Sequence, residues 1–154
     1  MAAHWPRCHI ETQSGRAGSL TLTVIVDTNF MTVPAEPGVD VFSEIERLVE
    51  GRVRFVVLAS VVQEIESRMS GPSHKGGVTK FRVAKDLLNR CEVITLDSRP
   101  ERLSVDDQLL QYAPSVRGAI ATNDRQLRTR ARSLGIPVFT LRAKKRVMLE
   151  GSIL

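Results

Sequence analysis

Five acids stand where their chemistry could be put to use. Asp27 closes the run Leu22-Thr23-Val24-Ile25-Val26, and Glu64 sits in Val61-Val62-Gln63-Glu64-Ile65. Asp106 and Asp107 stand side by side before Gln108-Leu109-Leu110, and Asp124 follows Ala121-Thr122-Asn123. Gathered carboxylates repel and raise one another's pKa unless a cation neutralises them. Hard divalent cations such as Mg²⁺ or Mn²⁺ do this with oxygen ligands. A carboxylate site of that kind suits phosphodiester hydrolysis, because it can activate water and stabilise the leaving oxygen. His4, His9 and His74 form no metal-binding pattern, and Cys8 and Cys91 are too few for a cysteine zinc site or a disulfide framework. Each acid also has an ordinary alternative. Asp106, Asp107 and Asp124 are good helix caps, Asp27 before Asn29 suits a turn, and Glu64 suits a solvated helix face. Taken singly they read as structural; taken in order, each at a strand end or helix start, they read as a site.

The elements that must position them follow from the apolar pattern. Leu22 to Val26 is β-branched and predicts a strand, as do Val53–Leu58, Cys91–Leu96, Gly118–Ala121 and Pro137–Leu141. Helical spacing marks residues 41–50, which Gly51 ends. It recurs at Val61, Ile65 and Met69, where Ser60 is the expected cap. Further helices carry Phe81, Ala84, Leu87 and Leu88, then Leu109, Leu110 and Ala113, then Leu127, Ala131 and Leu134 before Gly135. Strands alternating with helices predict an α/β domain with a mostly parallel sheet. In such sheets ligand sites lie at the carboxyl ends of the strands, where these acids fall.

A chain of 154 residues, 42% hydrophobic and 25% charged, suits one globular domain and excludes a collagen-like, coiled-coil or wholly disordered chain. Residues 1–20 lack periodicity and are expected to form a flexible extension, with the single domain over 21–154. The longest apolar stretch, Phe55 to Val62 interrupted by Ser60, is too short to cross a bilayer. No apolar signal core opens the chain, so a soluble, cytoplasmic protein with no membrane partner is expected.

At these residues the sequence resembles the PIN-domain family of metal-dependent ribonucleases, from about Leu22 to Gly151. Val24-Ile25-Val26-Asp27-Thr28-Asn29 is similar to the family's opening strand and its metal-binding Asp. Val62-Gln63-Glu64-Ile65, Val105-Asp106-Asp107-Gln108-Leu109-Leu110 and Ala121-Thr122-Asn123-Asp124-Arg125-Gln126-Leu127 resemble its later acidic motifs. Within the family the chain most resembles the branch that processes pre-ribosomal RNA, which includes archaeal relatives of the eukaryotic small-subunit processome endonuclease. Asp27-Thr28-Asn29-Phe30 with Gly38-Val39-Asp40-Val41-Phe42, and Leu141-Arg142-Ala143-Lys144-Lys145-Arg146, carry that likeness.

The resemblance implies a three-layer αβα domain on a five-stranded sheet ordered 3-2-1-4-5. It implies Asp27, Glu64, Asp107 and Asp124 as catalytic metal ligands for one or two Mg²⁺ or Mn²⁺ ions. Either Asp106 or Asp107 fits the third place, and Asp107, directly before the helical run, is the expected one. Thr28, Asn29 and Thr122 would orient the ligands through outer hydrogen bonds. The implied function is an endoribonuclease acting on RNA, with pre-rRNA as the expected substrate. Ribosome-assembly partners and a homodimer are compatible with it. The zinc ribbon of some rRNA-processing relatives has no counterpart here.

The net charge is +5, and no Asp or Glu falls between Arg125 and Leu149. Arg125, Arg128, Arg130, Arg132, Arg142, Lys144, Lys145 and Arg146 make a basic strip beside Asp124. Ordinary solvated faces mix signs, so the strip is expected to contact an RNA backbone. Aromatic residues are 5% of the chain, too few to suggest a base-stacking platform. Two other readings use the same fold: a non-catalytic RNA-binding assembly factor, and a toxin ribonuclease paired with an antitoxin. Phosphatases with a strand ending Asp-x-Asp are disfavoured by Asn29. A dinucleotide-binding turn is disfavoured because Asp27 to Pro34 holds no glycine. A phospho-receiver is disfavoured by the poor fit of Asp97 and Arg142.

Overall fold

The computed structural model describes residues 21–32, 38–69, 78–96 and 103–153. The expected extension over 1–20 and the glycine-rich segment 71–77 lie outside them. The chain runs β1 (Thr21–Val26), α1 (Thr28–Thr32), α2 (Val41–Leu48), β2 (Arg52–Leu58), α3 (Ala59–Met69), α4 (Val78–Leu88) and β3 (Glu92–Ile94). It continues through α5 (Val105–Ser115), β4 (Ala119–Ala121), α6 (Arg125–Ser133), β5 (Val138–Arg142) and β6 (Arg146–Glu150).

The strands form one sheet in the order β3-β2-β1-β4-β5-β6. The expected 3-2-1-4-5 order is present, but the sheet has six strands rather than five. β6 folds back antiparallel on β5, with Arg142 opposite Arg146 and Val138 opposite Glu150. The remaining pairs are parallel. β6 was missed because Arg146 to Glu150 begins and ends on charge. It needs burial on one face only, and just Val147 is buried.

β4 and the second half of β1 are apolar throughout because both faces are covered. Val24, Ile25, Val26, Ala119, Ile120 and Ala121 have no exposed surface. Helices α5 and α6 pack on β1, β4 and β5, while α2 and α3 pack on β2. Gly118 lets β4 come up against β1: a Cβ there would lie 2.7 Å from the Thr23 carbonyl oxygen and 2.9 Å from Ile25 Cδ1.

Two local expectations are corrected. α3 begins at Ala59, so Ser60 lies inside its first turn and does not cap it. Its hydroxyl instead donates to Gln108 Oε1 at 2.9 Å, tying α3 to α5. Ser104, not Asp106 or Asp107, caps α5, accepting from the Asp107 N–H at 3.1 Å. Both acids therefore sit in the first turn, and the Asp107 carboxylate bonds back to Ser104.

The chain leaves β1 toward β2 on one side and returns to pair β4 on the other, so the order reverses between β1 and β4. Such a reversal opens a crevice beyond the carboxyl ends of the two strands. Val26 of β1 is in register with Ala121 of β4, and the next N–H, of Asp27, donates to the Ala121 carbonyl at 2.9 Å.

Candidate active site

Asp27 stands in that crevice as a buried carboxylate, 6% exposed. Its Oδ1 accepts from the Thr28 N–H at 2.8 Å, and its Oδ2 accepts from the Thr122 hydroxyl at 2.8 Å. Burial outweighs these bonds, and the charges of Asp106 and Glu64 add to it, so its pKa is pushed up to about 6. The expected turn after Asp27 is instead the start of α1, whose second residue is Asn29. Asn29 Oδ1 is buried without a hydrogen-bond partner.

Glu64 arrives from α3, where it is half-buried. The Thr28 hydroxyl donates to its Oε2 at 2.9 Å, so one threonine steadies two acids, Asp27 through its N–H and Glu64 through its hydroxyl. Asp124 caps α6. Its Oδ1 accepts from the Gln126 and Leu127 N–H groups at 2.8 and 3.2 Å, and its own N–H donates to the Thr122 hydroxyl oxygen at 3.1 Å. Both capping bonds fall on one oxygen.

The adjacent acids of α5 part company. Asp106 has its pKa raised by burial and then by the charge of Asp124, with Glu64 and Asp107 adding to it against Arg130. Asp107 turns to Arg130, whose guanidinium donates to its Oδ1 at 2.5 Å. That bond and the one to Ser104 hold its pKa low. Successive helix residues point about 100° apart, so only one of the pair can face the crevice. The structure brings Asp106 to Asp27, Glu64 and Asp124, and pairs the expected Asp107 with α6 instead.

The donors are all oxygen, the preference of Mg²⁺ and Mn²⁺. Asp27 feels the charges of Asp106 and Glu64, Asp106 feels those of Asp124 and Glu64, and the Asn29 amide oxygen, two residues after Asp27, is buried without a partner. These residues fit a hard divalent cation. Among the described residues, no three His, Cys, Asp or Glu side chains converge closely enough to hold one.

The basic strip divides in two. Arg125 opens α6 at the acid-bearing rim. α6 then runs down the sheet, and Arg132, seven residues on and about 10 Å away, lies over Gly151 beyond the end of β6. Arg132 is therefore at the opposite rim from the acids, contrary to the expectation that it flanks them. Arg128 and Arg142 both approach Glu150, at 3.7 and 3.9 Å, an acid just beyond the acid-free stretch. Arg142, Lys144, Lys145 and Arg146 form the ends and turn of the β5–β6 hairpin, all exposed and on the acid-bearing side. Sequence reasoning missed Asn123, whose side chain joins that hairpin to the acid-bearing loop. Among the described residues no helix is long and apolar enough to cross a membrane.

Residues 24–144 match a family model described as a PIN like domain. Ribonuclease VapC9 of Archaeoglobus fulgidus is 31% identical over 141 residues, which span 92% of this chain and 98% of that protein. Ribonuclease VapC4 of Methanocaldococcus jannaschii is 27% identical over 132 residues, 84% of this chain and 98% of that protein. Among solved structures, that of the PIN domain endonuclease Utp24 superposes with a TM-score of 0.66 at 23% identity. The match covers 85% of this chain and 92% of that one, a likeness of fold.

Proposed function

Because the chain belongs to the PIN like domain family, we propose that it is a metal-dependent endoribonuclease whose carboxylates are Asp27, Glu64, Asp106 and Asp124. The observation that carries this reading is that acids from four separate parts of the chain face the β1/β4 crevice, with the charges of Glu64 and Asp106 bearing on Asp27 and those of Glu64 and Asp124 bearing on Asp106. Carboxylates whose pKa is raised by burial and by one another, set in a crevice, are the pattern of a functional site. The likeness to two ribonucleases over nearly their whole length supports an RNA substrate.

Asp27 and Asp124 would hold the metal through the oxygens facing the crevice, with Glu64 and Asp106 completing the charge. The ion supplies charge neutralisation at the phosphodiester and acidifies water for hydrolysis. The chain's own part is orientation. Thr28 and Thr122 hold Asp27 by both oxygens, and Thr28 also fixes Glu64. The Asp27 carboxylate is buried and poorly solvated, so it favours a bound cation over free water once ionised. Arg125 and the basic hairpin hold the RNA backbone beside the acids by its phosphates, without reading sequence. Hydrolysis of this kind leaves a 5′-phosphate and a 3′-hydroxyl. A 2′,3′-cyclic phosphate product would exclude it.

We propose pre-rRNA as the substrate, on the basic hairpin and on the resemblance of Leu141-Arg142-Ala143-Lys144-Lys145-Arg146 to the pre-rRNA-processing branch. A second reading, a toxin ribonuclease paired with an antitoxin, is favoured by the end-to-end match to VapC9 and VapC4. Cleavage assays with Mn²⁺ on a pre-rRNA fragment and an unrelated structured RNA separate them. Cleavage confined to one site of the pre-rRNA fragment is the expected result. Cleavage of both RNAs would favour the toxin reading, and tight binding without cleavage would favour an assembly factor.

A further inference from the structure

The hairpin β5–β6 reaches past the sheet at the acid-bearing rim. The last β4–β5 pair is Ala121 with Phe139, and Arg142 lies three residues beyond it, about 10 Å at strand rise. The turn that follows is closed by the Lys145 N–H on the Arg142 carbonyl at 3.0 Å. Its two central residues, Ala143 and Lys144, have φ of 53° and 59°. That left-handed pair is what a tight hairpin turn requires, and Gly or Asn would adopt it more easily. Lys144 is thus held at the tip in a conformation its own type disfavours.

Nothing in backbone pairing alone would fix such an overhang. The β4–β5 ladder runs from the Ile120 N–H to the Pro137 carbonyl and from the Thr122 N–H to the Phe139 carbonyl, both at 3.0 Å. There β4 ends, because the chain turns away so that Asp124 can cap α6. The next rung is made by a side chain: the Leu141 N–H donates to Asn123 Oδ1 at 2.8 Å. The donor being an N–H, the amide oxygen must face it, which settles the orientation of the amide. The Asn123 Nδ2 is left buried without a hydrogen-bond partner, a cost an apolar residue would avoid. Three consecutive residues thus tie three parts together. Thr122 holds Asp27, Asn123 holds Leu141, and Asp124 holds the start of α6.

We infer that Asn123 is a positioning residue that latches the basic hairpin to the acid-bearing loop, so that an RNA backbone held by the hairpin is presented to the carboxylates in one register. The inference rests on the endoribonuclease reading. Latching fixes the hairpin backbone that carries Arg142, Lys144 and Arg146, which spares the cost of ordering that backbone when RNA binds.

The test compares wild type with Asn123→Ala and Asn123→Asp. Three readouts are taken: Leu141 amide exchange, affinity for a short structured RNA in EDTA across a salt series, and the cleavage positions with Mn²⁺. Asn123→Ala is expected to speed Leu141 exchange and weaken RNA binding about three- to tenfold. The salt slope should stay the same, since no phosphate contact is removed. It is also expected to spread cleavage over neighbouring phosphodiesters, which a merely destabilised fold would not do. Asn123→Asp keeps the acceptor and is expected to restore Leu141 protection. Unchanged Leu141 exchange in Asn123→Ala would overturn the latch. Faster exchange with unchanged affinity and unchanged cleavage positions would overturn its positioning role. If wild type binds RNA without cleaving it, the endoribonuclease reading fails, and the latch stands or falls on exchange and affinity alone.

Discussion

The Thr122 hydroxyl donates to Asp27 Oδ2 at 2.8 Å, joining the loop after β4 to the loop after β1 across the crevice. The same oxygen accepts from the Asp124 N–H at 3.1 Å. One buried threonine therefore sets the spacing of the first and last acids of the site. Its proton is committed to Asp27, which favours the ionised carboxylate against the burial that opposes it.

Thr122→Val removes that donor and keeps the side-chain shape. A buried carboxylate left short of a hydrogen bond is expected to cost about 1–3 kcal/mol at neutral pH. Urea denaturation in EDTA measures the loss, and Thr122→Ser should recover most of it. A valine variant as stable as wild type would show that the bond contributes nothing.

The Asp27 carboxyl gives the metal-free protein a characteristic pH dependence. Its folded pKa is about 6 against an ordinary 3.8, so between these values the folded state holds a proton that the unfolded state has lost. The contribution of this group to stability therefore falls as pH rises from about 4 to about 6, and levels off above that at a deficit of about 2–3 kcal/mol. The difference in stability between wild type and Asp27→Asn should show that slope, with the asparagine variant the more stable at pH 7 without metal. Saturating Mn²⁺ should erase much of the deficit in wild type only. A difference curve flat across this range would contradict the raised pKa.

Asp106 and Asp107 are adjacent in sequence and opposite in role. Asp106→Asn is expected to weaken Mn²⁺ binding by calorimetry about 10- to 100-fold or more, the scale seen when the surroundings of a metal site are disturbed. Asp107→Asn breaks the bond to Arg130 and is expected to leave Mn²⁺ affinity within about twofold, well below that scale. The reverse pattern would restore the choice of Asp107 that its place before the helical run suggested.

Replacing Lys144, Lys145 and Arg146 with Ala is expected to weaken RNA binding and reduce the slope of log affinity against log salt by about 2. Arg132→Ala, at the far rim over Gly151, should leave the slope unchanged. Equal effects from the two variants would mean that RNA runs along α6 rather than across the hairpin.

Much of this architecture was legible in the residues, for physical reasons. β4 and β1 beyond Thr21 are buried on both faces, so their apolar residues announced them, and Asp27, Asp106 and Asp124 fell at a strand end or helix start, whereas Glu64 stands midway along α3. What stayed hidden depended on contacts between distant residues. β6 buries one face and starts and ends on charge, so its pattern was weak. Asp106 and Asp107 were indistinguishable until α6 placed Arg130 beside one of them. Arg132 read as part of a continuous strip because sequence order does not show that α6 descends from one rim to the other. Ser60 looked like a cap because caps are local, whereas its bond to Gln108 spans 48 residues. The Asn123 latch was hidden for the same reason, since its partner Leu141 lies 18 residues away.

The measurement that bears most directly on the central claim is Mn²⁺-dependent cleavage of a structured pre-rRNA fragment by wild type and by Asp27→Asn. Wild type is expected to cleave with Mn²⁺ and not in EDTA. The asparagine variant should fold, bind the RNA and leave it intact. Cleavage by Asp27→Asn at the wild-type rate, or by wild type with all divalent metal removed, would contradict the assignment of Asp27 and its neighbouring carboxylates as the catalytic site.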